Sequence, residues 1–149
     1  VGTHFKGTRS EERSLDAFIK LMRCANSVMA RVGQRINEAG LTISQFGALE
    51  ALYHLGPLSQ CDIAGKMLRS ESNITFVLDK LEHRGWIRRD RSESDRRVII
   101  VSLTAAGRKF IAAVFPGIVS AIEQEMTVLT ILELQSLGDT CRKLGTKNG

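Results

Sequence analysis

The chain is short of the residues that most site chemistries need. Among 149 residues there are three histidines, three cysteines, two prolines and eight aromatic side chains (six Phe, one Trp, one Tyr). Cys24, Cys61 and Cys141 are far apart and odd in number. They form neither a disulfide framework nor a CxxC metal pair, and the expected home is a reducing cytoplasm. His4, His54 and His83 are scattered, so no His/Cys/acid cluster suggests a metal and no cofactor is expected. There is no Gly-rich phosphate loop and no nucleophile elbow. An enzyme remains in view only through His54 and Cys61, which flank Gly56-Pro57 and could in principle make a Cys–His site. No secretory signal opens the sequence. The longest apolar-rich run, "FIAAVFPGIV", falls short of the ~20 residues that span a bilayer and contains Pro116 and Gly117, so no membrane partner is expected.

Positive charge is present, and it is local. The net charge is +5, which suits a polyanionic partner. Between Arg84 and Arg97 six arginines face Asp90, Glu93 and Asp95, a net of +3 in fourteen residues.

Periodicity divides the chain into helices and one hairpin. Leu15, Phe18, Met22, Ala25, Met29, Val32 and Ile36 alternate steps of three and four, one apolar seam on a long helix that ends at Asn37 to Gly40. Such a seam faces either the core or a second subunit. Thr42 and Gln45 have capping-box spacing for a helix that stops at Gly56-Pro57. Ser59 and Asp62 repeat the cap for "QCDIAGKML". Ser70 starts a fourth helix with Ile74, Val77, Leu78 and Leu81 on its buried stripe, closed by Gly85. The period then shortens: "WIRR" and "RVIIVSL" read as strands around a polar turn from Asp90 to Asp95. Thr104 caps a long helix carrying Ile111, Phe115, Ile118 and Ile122, which Pro116 is expected to bend. Thr130 and Glu133 cap the last helix, with Leu134, Leu137, Cys141 and Leu144 as a second seam.

Short helices followed by a two-stranded hairpin make a winged helix-turn-helix. The expected architecture is mainly α with a small β-hairpin wing: residues 1–10 a loose lead-in, 41–107 the winged unit, 11–40 and 108–145 a helical dimerisation region, 146–149 a frayed tail. A helix of ordinary diameter fits the major groove of duplex DNA and presents its N-terminal residues to base edges. On the fourth helix Ser70, Ser72, Asn73 and Thr75 supply hydrogen-bonding groups. Phe76 either packs on thymine methyls or is partly buried. Glu71 and Asp79 are unsuited to phosphate contact. Clustered arginines on a hairpin tip cost little in folding and reach phosphates or a narrow minor groove, which makes Arg91, Arg96 and Arg97 the candidate wing contacts. Asp95 can hold a neighbouring guanidinium in a fixed direction. A charge-balanced solvated turn is the bland alternative.

The series Asp95-x-Arg97, Leu103-Thr104 and Gly107 resembles the wing signature of the multiple-antibiotic-resistance regulator (MarR) family. "LTISQFGALEAL" is similar to that family's second helix, "NITFVLDKLEHRGWIRR" to its recognition helix running into the wing, and "LTILELQSLGDTCRKL" to its closing dimerisation helix. The resemblance spans roughly residues 12 to 145. It implies a homodimer with intertwined first and last helices, bound to pseudo-palindromic double-stranded DNA and acting most often as a repressor. It places Asn73 and Thr75 at recognition-helix contact positions and Arg97 at the wing arginine supported by Asp95. Family members often bind small aromatic or phenolic effectors between the helical region and the winged helix, which makes Arg23, Phe46, Tyr53 and His54 candidate lining residues. Redox-sensing relatives carry their cysteine near the start of the first helix; Cys24, further along, is the candidate here. An adaptor that uses the winged helix to bind protein is the other reading.

Overall fold

The computed structural model describes residues 4–66 and 74–146. The elements run α1 (Arg9–Glu38), α2 (Ile43–Leu55), β1 (Leu58–Ser59), α3 (Gln60–Lys66), α4 (Ile74–His83), β2 (Ile87–Arg91), β3 (Ile99–Leu103), α5 (Ala105–Met126) and α6 (Ile131–Gly145). This is a mainly helical winged helix with a small antiparallel sheet of order β1-β3-β2.

Local chemistry starts most of the helices. Thr42 Oγ1 accepts from the Gln45 backbone N–H at 3.2 Å while Gln45 Oε1 accepts from Thr42 N–H at 3.0 Å, the reciprocal box its spacing predicts. Thr130 and Glu133 do the same for α6. Ser59 Oγ accepts from Asp62 N–H at 3.1 Å, as expected for α3. A further box is formed by Thr8 and Glu11, so α1 begins at Arg9, inside the stretch expected to be loose lead-in. The Ser70 cap and the end of "QCDIAGKML" at Met67 and Leu68 lie outside the described residues.

The seam on α1 divides in two. Val32 and Ile36 enter the core with Leu49, Leu52, Leu78, Leu81, Ile111 and Ile118, whereas Phe18 and Met22, closer to the N-terminus, stand exposed. At roughly 1.5 Å per residue α1 is ~45 Å long, too long for the winged unit to cover. Its C-terminal half is tied to α5 by Arg31 Nε donating to Glu125 Oε2 at 2.6 Å. On α5 Ile111 and Ile118 are buried, Phe115 packs against the core and Ile122 is exposed. The helix is not ended by Pro116 and runs from Ala105 to Met126, although Pro116 has no N–H to donate to the preceding turn. With 22 residues α5 extends past both ends of the apolar run in its sequence and is long and apolar enough to cross a bilayer by length and composition. Among its 22 residues Gly107, Ile111 and Ile118 are buried. No residue of α6 is buried.

β1 is the element that the periodicity does not predict. Two residues carry no period, and Leu58 and Ser59 become a strand by pairing with Val101 and Ile100 of β3. The hairpin strands differ from those expected: β2 continues to Arg91, opposite Ile99, while β3 begins at Ile99, so Arg97 and Val98 belong to the turn.

Candidate nucleic-acid interface

The wing and α4 are joined by a compact set of contacts around Gly85. α4 ends in a Schellman motif, with Trp86 N–H donating to Leu81 O at 3.1 Å and Gly85 N–H to Glu82 O at 2.8 Å. Gly85 has φ of +71°, a conformation that only glycine adopts without strain. Thr104 then locks the far end of the wing. Its hydroxyl donates to Gly85 O at 2.6 Å and accepts from Gly107 N–H at 3.0 Å, and its N–H donates to Trp86 O at 3.0 Å. A Cβ on Gly107 would lie 1.9 Å from that same Trp86 oxygen. The Leu103-Thr104 to Gly107 spacing therefore has a physical reason: one threonine caps α5 and clasps the α4–β2 turn, and one glycine lets the two backbones touch. Trp86 stacks on Phe110 with ring centroids 3.9 Å apart, and Arg84 lies over its ring while donating to Gly40 O at 2.8 Å.

Within the hairpin the charges are organised. Asp95 Oδ1 accepts from Arg97 N–H at 3.0 Å and from Arg97 Nε at 3.3 Å, while 92% of the Arg97 side chain is exposed. The acid grips the arginine at its base and leaves the guanidinium free to reach outward. Ser92 Oγ accepts from Asp95 N–H at 3.4 Å, and Val98 N–H donates to Asp95 O at 2.9 Å, so Asp95 is itself tied into the turn. Arg88 pairs with Asp90 at 3.3 Å. Arg91 and Arg96 are exposed, without an ion-pair partner among the described residues.

On α4, Phe76 is 60% exposed with Lys80 Nζ 5.2 Å from its ring centroid, which removes the partly buried reading. Thr75 Oγ1 accepts from Gln60 Nε2 at 3.0 Å, linking the start of α4 to the start of α3. Ser70, Ser72 and Asn73 lie outside the described residues. Asp79 is covered by an arginine that sequence reasoning did not single out: Arg89 Nη2 donates to it at 2.6 Å.

Two sequences and two folds place this arrangement. The MarR family sequence profile matches residues 41–99. HTH-type transcriptional regulator MhqR of Bacillus subtilis (strain 168) is 32% identical over 134 residues, which are 90% of this chain and 92% of the relative. The chain belongs to the MarR family. This MarR chain shares its fold with Sco3205, a MarR family transcriptional regulator from Streptomyces coelicolor solved in complex with DNA, at a TM-score of 0.82 and 23% identity over 97% of this chain and 91% of that one. It is similar also to Bordetella bronchiseptica BpsR, described for regulation of its DNA binding by 6-hydroxynicotinic acid, at a TM-score of 0.77 and 24% identity over 87% and 98% of the two chains. A MarR protein is a DNA-binding transcriptional regulator, and neither the family nor the curated relative is an enzyme.

The residues considered for an effector are partly brought together. His54 packs edge-on against Tyr53 and Phe115, with centroids 5.0 and 4.9 Å away, and Phe46 stacks on Phe115 at 6.1 Å. Arg108 lies over Tyr53 at 5.7 Å. Phe46 is buried in this cluster, while Arg23 stands exposed on α1. Cys24, Cys61 and Cys141 are free and exposed. Cys61 borders a cleft of about 280 Å³ with Arg97 and Ile99, whereas His54 packs against Tyr53 and Phe115.

Proposed function

We propose that this MarR regulator is a homodimeric repressor that binds pseudo-palindromic operators through two copies of the α4–wing surface and is released by a small aromatic ligand. The observation that carries it is the Asp95–Arg97 pair: a fully presented guanidinium, held at its base, on a hairpin clasped to α4. In this reading α4 enters the major groove with Ser70, Ser72, Asn73, Thr75 and Phe76 toward bases and backbone. Arg97 enters the adjoining minor groove, where a narrow groove attracts a guanidinium. Arg91 and Arg96 meet phosphates.

Dimerisation is supported by the apolar side chains that one chain leaves in water. Phe18 and Met22 on α1, and Ile131, Leu134, Leu137 and Leu144 on α6, are all exposed. An apolar surface of this kind at both ends of the chain is what an isologous helical interface covers. The Phe46–Tyr53–His54–Phe115 cluster under Arg108 offers rings and a cation to an aromatic acid between α2 and α5. The exposed free thiols suit a reducing cytoplasm.

The test is a fluorescence anisotropy titration of a duplex selected from a random pool, run at several salt concentrations with the wild type and Arg97→Ala. Salt-sensitive, sequence-selective binding that Arg97→Ala weakens is expected. Sequence-independent binding, or an unaffected Arg97→Ala, overturns the interface. An aromatic carboxylate should release the wild type and fail on Tyr53→Ala. Release by peroxide that Cys24→Ser abolishes would instead favour the redox reading.

A further inference from the structure

A helix offered to a polyanion should not carry two acids in an exposed position, yet α4 carries Asp79 and Glu82 one turn apart. Like charges brought together at an interface cost affinity. The sheet supplies the answer. Strand alternation puts Arg89 on the same face of β2 as the buried Ile87, while Arg88 and Asp90 share the other face and pair with each other. Arg89 Nη2 donates to Asp79 Oδ1 at 2.6 Å and to Glu82 Oε2 at 2.5 Å, and Arg89 Nε donates to Glu82 Oε2 at 3.1 Å. One planar guanidinium thus spans two carboxylates on the helix from a fixed point on the sheet. Its side chain is only 21% exposed, against 92% for Arg97, so it points into the molecule and not away from it.

We infer that Arg89 is a positioning residue for DNA binding: it braces the wing against the recognition helix and masks Asp79 and Glu82 from the phosphates, without itself touching DNA. This rests on the reading that α4 and the wing together form the DNA interface. The Thr104–Gly85 clasp fixes the base of the hairpin, but β2 beyond Ile87 has little core to lie on. Arg89 is the contact that sets how far the tip, with Arg91 and Arg97, stands from α4. A lysine could not replace it, because an ammonium on a flexible stem does not present a planar fork to two acids at once. The hydrogen bond that Arg89 donates to Glu82 is the main cause raising the Arg89 pKa above its ordinary value, so the brace stays charged.

The test is a set of anisotropy titrations on an operator duplex across salt concentrations. The variants are Arg89→Ala, Arg89→Lys, Asp79→Asn/Glu82→Gln alone and combined with Arg89→Ala, and Arg97→Ala as control. Arg89→Ala should weaken binding about ten- to a hundredfold, because it frees the wing and unmasks two acids. The slope of log affinity against log salt should stay at the wild-type value, since no phosphate contact is lost. Arg89→Lys should recover only part of the loss. Adding Asp79→Asn/Glu82→Gln to Arg89→Ala should recover several-fold. If Arg89→Ala folds poorly by circular dichroism, Arg89→Met with both neutral amides removes the whole ion cluster at similar volume. That variant should bind better than Arg89→Ala at an unchanged slope. A slope reduced by about one per Arg89 removed, with tighter binding by Asp79→Asn/Glu82→Gln in the wild-type background, would make Arg89 a phosphate contact and overturn the inference. Wild-type affinity in Arg89→Ala also overturns it. If Arg97→Ala is equally silent, the interface reading fails as well; if Arg97→Ala weakens binding, that reading stands and only the brace is lost.

Discussion

Replacing Asp95 by alanine sets two physical effects against each other, and their sizes can be compared. Asp95 Oδ1 holds Arg97 through its backbone N–H at 3.0 Å and its Nε at 3.3 Å, in a pair whose arginine is almost wholly exposed. An exposed pair contributes about 0–1 kcal/mol to folding, so Asp95→Ala should shift Tm by no more than roughly 2–4 °C. On DNA, removing a negative charge should help. At a phosphate distance of about 8 Å the Coulomb energy in water is ~0.5 kcal/mol, and physiological salt reduces it to ~0.2 kcal/mol. Against that gain, a released arginine must be ordered on binding at about 0.5–1.5 kcal/mol per side chain. The ordering cost wins by roughly 0.3–1.3 kcal/mol per half-site, and over the two half-sites of a dimer affinity should fall roughly three- to eightyfold. Asp95→Asn, which loses the same charge but keeps an acceptor oxygen, should lose much less. The assay is operator anisotropy across salt concentrations. Tighter binding by Asp95→Ala at every salt concentration would refute the orienting role and leave Asp95 as part of a solvated turn.

Light scattering at micromolar concentration should give about twice the 16.5 kDa of one chain, and Leu137→Asp should dissociate or unfold the protein by placing a charge in an apolar interface; a stable wild-type monomer would remove the dimer. Gly107→Ala forces a Cβ to 1.9 Å from Trp86 O, a backbone atom already held by Thr104, and should cost about 1–3 kcal/mol, read as a Tm loss of roughly 3–10 °C at matched protein concentration. Gly65→Ala, at an exposed position of α3 where the Cβ meets nothing within 4 Å, is the control and should be neutral or stabilising. Hydrogen bonds from Thr130, the backbone one first, hold the Glu133 carboxyl below its ordinary value of 4.5. A lowered carboxylate pKa contributes stability above the ordinary value and loses it as pH falls through the folded value. Helicity followed by circular dichroism should therefore fall on acidification in the wild type, and fall less in Glu133→Gln, whose amide keeps the cap at all pH values.

What the sequence made legible was local. Thr42–Gln45 and Thr130–Glu133 are visible because a capping box is a contact between residues three apart, and Asp95–Arg97 is visible because its partners are two apart. By the same logic the Thr8–Glu11 box could be found, but a polar stretch with no apolar period hides it. The seam on α1 is legible as a seam and silent about its partner: Val32 and Ile36 go to the core and Phe18 and Met22 do not, a division set by where the winged unit ends. β1 exists only because Leu58 finds Val101 across the fold. Phe46, equally suited by type to a pocket or a core, is decided by Phe115, which is distant in sequence.

The arginines make the same point about the site. Counting charge gives six between Arg84 and Arg97, all equally available to a polyanion. Folding assigns them different work. Arg84 closes the turn at Gly40 and covers Trp86, and Arg88 is paired with Asp90. Arg89 is spent on Asp79 and Glu82. Arg97 is held at its base by Asp95, and Arg91 and Arg96, exposed and without an ion-pair partner among the described residues, are left to solvent. The acids that look contrary on a basic hairpin are the parts that distinguish these roles. A wing of six unpaired arginines would bind any phosphate backbone with a steep salt dependence. In the proposed interface, pairing three of them would keep less of the affinity as non-specific attraction and put more of it in the direction of one guanidinium, which a narrow groove can accept or refuse.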